Sequence, residues 1–215
     1  NMGVVVLDAK GNLAPFMLER FGKEMEERLI YLEPAEAEYP YSWNALDDVR
    51  ALQEAMQERK LIELIVSVYQ LKDDAVARHV APLLLQNKET TLVTFYNLVF
   101  DKKTQEDFFK KDEEELKIFK ALLAEHTEIV DAIEEHGRYI AKDTLVRNLL
   151  AQPESKFTLS DLAKGKVIVV NMEKIRMFPT RMTPLVRSFT EAARMVGEKS
   201  TLPVSVYVHD TLRYL

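Results

Sequence analysis

Two short runs of β-branched residues stand near the ends of the chain, with more than a hundred residues of helical pattern between them. Val4-Val5-Val6-Leu7 opens the sequence and Val204 to Val208 nearly closes it. The first run is continuously apolar rather than alternating, as expected of a strand covered on both faces in a parallel sheet, and the last reads as a strand that ends at His209-Asp210. Leu29-Ile30-Tyr31-Leu32 and Val167-Ile168-Val169-Val170 are two further runs of this kind. Strands of a parallel sheet must be joined by crossovers, and crossovers are usually helices.

The segments between the strands supply those helices. After Leu7 comes a polar turn, Asp8-Ala9-Lys10-Gly11-Asn12, and then Leu13, Phe16, Met17 and Phe21 at helical spacing. Glu33-Pro34 stops the second strand. The stretch with Pro34, Tyr39, Pro40 and Tyr41 reads as an ordered loop that ends near Trp43-Asn44.

From Ala45 to Leu150 strand signals almost vanish. Val49, Leu52 and Met56 mark one helix, and Leu61, Leu64, Ile65, Val68 and Leu71 another. Val76, Val80 and Leu83 or Leu84 mark a third, and Leu92, Phe95, Leu98 and Val99 a fourth. Glu113 to Glu135 reads as a single long helix with a stripe of Leu116, Phe119, Leu123, Val130 and Ile133 that takes in His126. Gly137 is the expected stop and Tyr139 to Leu150 the next helix. The mixed pattern then returns. Ser160 and Asp161 lie in a short helical turn, Lys164-Gly165-Lys166 leads into the third strand, and Met182 to Val196 is a helix with Leu185, Phe189, Ala192 and Ala193 inward.

This order predicts an α/β protein: a parallel sheet portion over 1–45 and 151–215, interrupted by an all-α domain over 46–150. Composition agrees with a packed chain, since 47% of the 215 residues are hydrophobic and 30% charged. With only 6 Gly and 8 Pro, long loops should be few. No run approaches the roughly 20 apolar residues needed to span a bilayer, and no signal peptide opens the chain. The start within a strand gives the N-terminus a truncated look. The absence of cysteine excludes disulfides and thiolate metal sites and fits a reducing compartment. A net charge of −6 disfavours general affinity for nucleic acid, which rests on Lys and Arg.

Several residues are candidates for chemistry, each with a plainer alternative. Asp8 ends a buried strand, where ligands of open α/β sheets bind, and Lys10 and Gly11 follow it. Asp8 reads equally as a turn aspartate that caps the next helix. Asp210 follows the last strand, as does the carboxylate that P-loop enzymes present to Mg²⁺, but Thr211 stands where a Glu usually activates water. Any strand can end in Asp. No Gly-x-x-x-x-Gly-Lys-Ser/Thr loop and no dinucleotide glycine fingerprint occur, so affinity for ATP should be poor. The four histidines, His79, His126, His136 and His209, show no metal-ligand spacing, and no nucleophile elbow is present. The run Lys102 to Lys120 mixes signs and reads as a solvated helix face. Arg181, Arg187 and Arg194 make the last third locally basic. Arg187 and Arg194, seven apart, share a helix face that either contacts phosphate or a neighbouring subunit or is plain surface.

In sum, these segments resemble the type IV coupling proteins, the TraG/TraD-type ATPases of conjugation and type IV secretion related to the HerA/FtsK translocases. Val4 to Asn12 is similar to the strand with Asp-x-Lys-Gly that follows their phosphate loop. Trp43-Asn44-Ala45-Leu46 is similar to their Asn-Pro-Leu motif, with Ala45 in place of proline. The helical block sits where they insert an all-helical domain. Gly165-Lys166-Val167 to Met172 matches their "glycine-lysine-valine" strand, and Val204 to Asp210 their Walker B strand.

The resemblance implies a portion of a RecA-like motor that uses ATP and Mg²⁺ to pass DNA or protein towards a secretion channel. Asp210 would then hold Mg²⁺ through water, and Asp8, Lys10 and Gly11 would lie near the nucleotide or the central pore. Partners would be the other subunits of a ring, secretion substrates or adaptor proteins, and DNA. The chain would work in the cytoplasm, its parent anchored at the inner membrane. The phosphate loop would lie upstream of Asn1, so this chain by itself is expected to bind no cofactor and to turn over no ATP. Two other classes stay open: a non-enzymatic interaction module built on the helical block, and a nucleic-acid binder through Arg181, Arg187 and Arg194.

Overall fold

The computed structural model describes residues 2–20, 22, 26–34, 42–110, 112–175 and 179–209. All four apolar runs form strands: β1 (Gly3–Asp8), β2 (Leu29–Leu32), β3 (Val167–Asn171) and β4 (Val204–His209). They lie in one sheet in the order β2-β3-β1-β4, and every pair is parallel. Opening and closing strands are therefore direct neighbours, with Val6 opposite Tyr207 and Asp8 opposite His209.

The crossover helices cover opposite faces. Leu13 and Met17 of α1 (Leu13–Arg20) pack on Val4, Val6, Val167 and Val169. The helix Pro179–Gly197, numbered α10 in chain order, takes the other face. Its Leu185 and Phe189 share a core with Val5, Leu7, Ile168 and Val170. Opposite faces are what right-handed crossovers require when one connection leaves the middle of a sheet leftward and the other rightward.

Between β2 and β3 the described residues form eight helices: α2 (Ala45–Arg50), α3 (Glu54–Val68), α4 (Ala75–Gln86), α5 (Leu92–Phe100), α6 (Lys102–Phe108), α7 (Glu113–Glu125), α8 (Thr127–Lys142) and α9 (Thr144–Leu150). A 3-10 turn, Leu159–Lys164, leads back to β3. The protein is thus an α/β sheet core interrupted by a large all-α insertion.

Two expectations need correction within that block. The long helix expected over 113–135 is two helices, because the backbone leaves helical geometry at His126 (φ −109°, ψ 53°). Gly137, the expected stop, lies inside α8. A Cβ there would come 2.3 Å from Cε1 of the buried Tyr69 and 2.9 Å from Cδ2 of Tyr96, so glycine is required for close packing of helices rather than for termination. The real break comes at Asp143, whose Oδ1 accepts from the N–H of Leu145 and of Val146 and so caps α9. The mixed-charge run from Lys102 likewise resolves into α6 and α7, capped by Asp101 and Asp112.

The insertion enters and leaves through a narrow junction. Asn44 is the N-cap of α2, its Oδ1 accepting from Leu46 N–H at 3.1 Å. Ala45 therefore occupies the first helical position, where proline is also favoured. This gives a physical reason why alanine there leaves the local geometry intact. The Asn44 amide donates to the carbonyls of Thr90 and Pro153, at 2.9 and 3.2 Å. Across the junction, Trp43 N–H donates to Leu149 O and Lys156 N–H to Ser42 O, both at 2.9 Å.

Candidate functional site at the carboxyl edge of the sheet

In an open parallel sheet, ligands bind outside the carboxyl ends of the strands, at the point where the strand order reverses. Here that point lies between β1 and β3, because β1 connects towards β2 and β3 connects towards β4. The row of residues ending the strands is Asn171, Asp8 and His209.

Asp8 is fully buried, and the structure uses it to build the loop that follows. Its Oδ1 accepts from the backbone N–H of Lys10 (3.2 Å) and Gly11 (3.0 Å), and its Oδ2 from that of Leu13 (2.8 Å). Leu13 opens α1, so the carboxylate also complements a helix N-terminus. Lys10 is exposed beside it. Gly11 has φ +72°, and a Cβ would stand 2.6 Å from Cβ of Glu173 in the loop after β3. The two loops at the switch point are thus in contact. Asn171 braces the second loop to β2, its Oδ1 accepting from Glu173 N–H at 3.0 Å while its Nδ2 donates to Tyr31 Oη at 2.9 Å. Replacing Gly11 by alanine is expected to lower stability by about 1–2 kcal/mol, through left-handed strain and the Glu173 contact together. Thermal unfolding would measure it; an unchanged midpoint would contradict the packing described.

As a place for nucleotide or Mg²⁺, the described residues do not fit alone. Both Asp8 oxygens are already engaged by backbone N–H groups, and among the described residues no group of three or more His, Asp or Glu is placed to hold a metal ion. The sequence carries no phosphate loop. Asp210 and Thr211 lie outside the described residues. Their neighbour His209 ends β4 beside Asp8, and its carbonyl accepts from Ala9 N–H at 3.2 Å.

Arg187 and Arg194 do share one face of α10, and that face meets α3. Arg187 Nη1 donates to Ser67 O at 3.4 Å, and Arg194 Nη2 bonds Glu63 Oε2 at 2.6 Å. Arg194 also pairs with Glu191 and Glu198, and the carboxylates raise its already high pKa. Lys60, buried on α3, bonds Glu63 at 2.9 Å and Glu198 at 2.6 Å. Sequence spacing identified the face but not its partner. The side chain of Arg181 lies outside the described residues.

Partial burial pushes Glu63 up, but the hydrogen bonds and charges of Lys60 and Arg194 outweigh it and hold the carboxyl below its ordinary 4.5. A depressed folded value means that the unfolded chain binds the proton more tightly. The contribution is present above about pH 4.5 and is lost as pH falls through the folded value. Glu63→Gln should therefore flatten part of the acid-side fall in melting temperature; an identical pH profile would contradict the pairing.

Sequence reasoning passed over the buried residues that tie the block to the sheet. Asp48, fully enclosed, accepts from Trp43 Nε1 (2.7 Å) and Leu159 N–H (3.1 Å) on Oδ2, and from the N–H (3.1 Å) and hydroxyl (3.3 Å) of Ser160 on Oδ1. The one tryptophan of the chain stacks on Phe189 of α10 at 4.5 Å and 19°. The only sequence signal was an isolated tryptophan five residues before an aspartate on an otherwise apolar helix face.

The fold and this edge define a RecA-like α/β class with an inserted helical block. The family model described as type IV secretory system conjugative DNA transfer matches residues 1–178, and the chain belongs to that family. Among solved structures it is similar to the plasmid coupling protein TrwB in complex with the non-hydrolysable ATP analogue ADPNP. The TM-score is 0.59 at 13% identity, over 100% of this chain and 51% of that one. Two forms of the bacterial conjugative coupling protein TrwBdeltaN70 are also similar. The unbound monoclinic form gives TM-score 0.55 at 12% identity, over 95% of this chain and 47% of that one. The trigonal form in complex with sulphate gives 0.53 at 13%, over 96% and 49%. The chain therefore spans about half the length of these relatives, and at such identities the likeness concerns the fold. No curated protein matches in sequence. Among the described residues no helix is long and apolar enough to cross a membrane.

Proposed function

We propose that the protein serves the ATP-driven motor that moves DNA or protein towards a secretion channel in conjugation or type IV secretion. The observation that carries this reading is the family match over residues 1–178, joined to a parallel sheet that the helical block interrupts at the expected place. In this reading 1–45 and 151–215 form the motor portion and 46–150 the domain that meets secretion substrates or adaptor proteins. The carboxyl edge around Asp8, Lys10 and Gly11 faces the nucleotide or the pore. Asp210 contributes to a Mg²⁺ shell through water, and ATP is bound with the help of a phosphate loop that this chain does not carry. Neighbouring subunits of a ring, and DNA in the pore, are the remaining partners, with Arg181, Arg187 and Arg194 the candidates for a phosphate or subunit contact. The work is done in the cytoplasm, at the inner membrane.

An interaction module without turnover is the second reading. What favours it is the use of both Asp8 oxygens by the backbone. Deleting the gene in a conjugative donor decides between a transfer role and none. The motor reading expects plasmid transfer to collapse and to return when the wild-type gene is restored. Transfer that continues undiminished would overturn it.

A further inference from the structure

An inserted block that leaves and re-enters a sheet through two adjacent chain segments would ordinarily be free to hinge there, since surface connections are the least protected part of a fold. This junction has the opposite character. Ser42, Trp43, Asn44, Asp48 and Leu159 are all buried. The entering and leaving segments are cross-bonded by Ser42 Oγ to Glu154 O (2.8 Å), Asn44 N–H to Ser155 Oγ (2.9 Å) and Ser155 Oγ to Asp47 Oδ2 (2.6 Å).

Asp48 then joins three elements at one carboxylate: α2 of the block, the indole of Trp43 and the N-terminal turn of the 3-10 segment that feeds β3. The same indole is stacked on Phe189 of α10, whose C-terminal end and the turn after it carry Arg194 and Glu198 to the α3 residues Glu63 and Lys60. One apolar core runs without a break from Val5 and Ile168 on the sheet, through Phe189 and Trp43, to Leu64 of α3 and Ile133 of α8.

We propose that Trp43 and Asp48 form a buried latch that fixes the helical block to α10 and the sheet, so that block and sheet open and move as one body with no hinge at the junction. Displacement of β4 or α10 at the sheet would then be carried to α3 and α8 directly. The inference holds whatever the block binds, because it concerns packing rather than cargo.

Hydrogen exchange read by mass spectrometry or NMR tests it on the whole 215-residue chain. The amides of Leu46, Leu159 and Ser160 should exchange as slowly as those of Ile168 to Val170 in β3 and of Leu64 to Val68 in α3, through shared opening alone. In Trp43→Phe the stack is kept but the indole N–H is lost. Protection at Leu159 and Ser160 should then fall by about tenfold or more, with the middle of α5 and α8 unchanged. Junction amides of the unmodified protein that already exchange about tenfold faster than both β3 and α3 would overturn the latch. So would a Trp43→Phe protein whose junction protection is unchanged.

Discussion

Asp48→Ala is expected to destabilise the protein by about 3–5 kcal/mol, because the change strips the acceptor from two buried donors and a half-buried third at once. Trp43 Nε1 and the backbone N–H groups of Leu159 and Ser160 all point at this carboxylate, and the first two are buried away from solvent. For a chain of this length such a loss lowers the melting temperature by on the order of 10 °C. Asp48→Asn separates two explanations. Burial is the largest influence on Asp48 and pushes its pKa above the ordinary 3.8, while the bonds from Trp43, Leu159 and Ser160 pull it down. If burial of charge were the dominant cost, asparagine would stabilise. The converging donors predict the reverse, since an amide must present its own N–H groups to N–H partners, and a loss of about 2 kcal/mol follows. Urea unfolding of the three proteins measures both effects. A variant as stable as the parent would remove Asp48 from the account.

Gly137→Ala has the second large effect. Alanine in mid-helix is ordinarily better than glycine by about 1 kcal/mol, so propensity alone predicts a gain. The new Cβ would stand 2.3 Å from the ring of Tyr69, which is wholly buried and donates its hydroxyl to Leu92 O at 2.6 Å. Neither the ring nor α8 can withdraw without opening the core around Phe95, which meets the Tyr69 ring edge-on at 5.0 Å. Overpacking of this kind costs about 1–3 kcal/mol, and the fixed Tyr69 puts the net loss near the upper end. Calorimetry would register it as a lower melting temperature. A raised one would show that the helices separate easily.

The strands were the legible part of this fold. Val5 to Leu7 and Val167 to Val170 are buried on both faces, and a continuous β-branched run has few alternative uses. The all-α nature of 45–150 followed from the spacing of apolar residues, and the single parallel sheet from the order of strands and helices. The break at His126 was not legible, because Leu116 to Ile133 keeps three-and-four spacing straight through it. A helix that ends and restarts in phase leaves no mark in periodicity. Gly137 misled for a related reason: a glycine that ends a helix and one that lets another helix approach look identical in one dimension. Asp8 shows the limit for sites. Its position at a strand end was correct, yet only the three N–H contacts reveal what the carboxylate does there. Arg194 shows the same limit from the other side, since the carboxylates of Glu63, Glu191 and Glu198 that surround it come from α3, from α10 and from the turn just after α10.

Everything proposed for the motor depends on strands separated by the helical block lying side by side. Tyr31, Val169, Val6 and Tyr207 form one row across the sheet, from β2 to β4. The cysteine-free chain accepts a single pair of spin labels at Tyr31 and Tyr207 without background. Three strand spacings put the two backbones about 14 Å apart, so dipolar spectroscopy should report one short, narrow distance, little longer than that once label arms are included. A broad distribution, or a separation of about twice that value, would contradict the shared sheet and with it the family reading of the helical insertion.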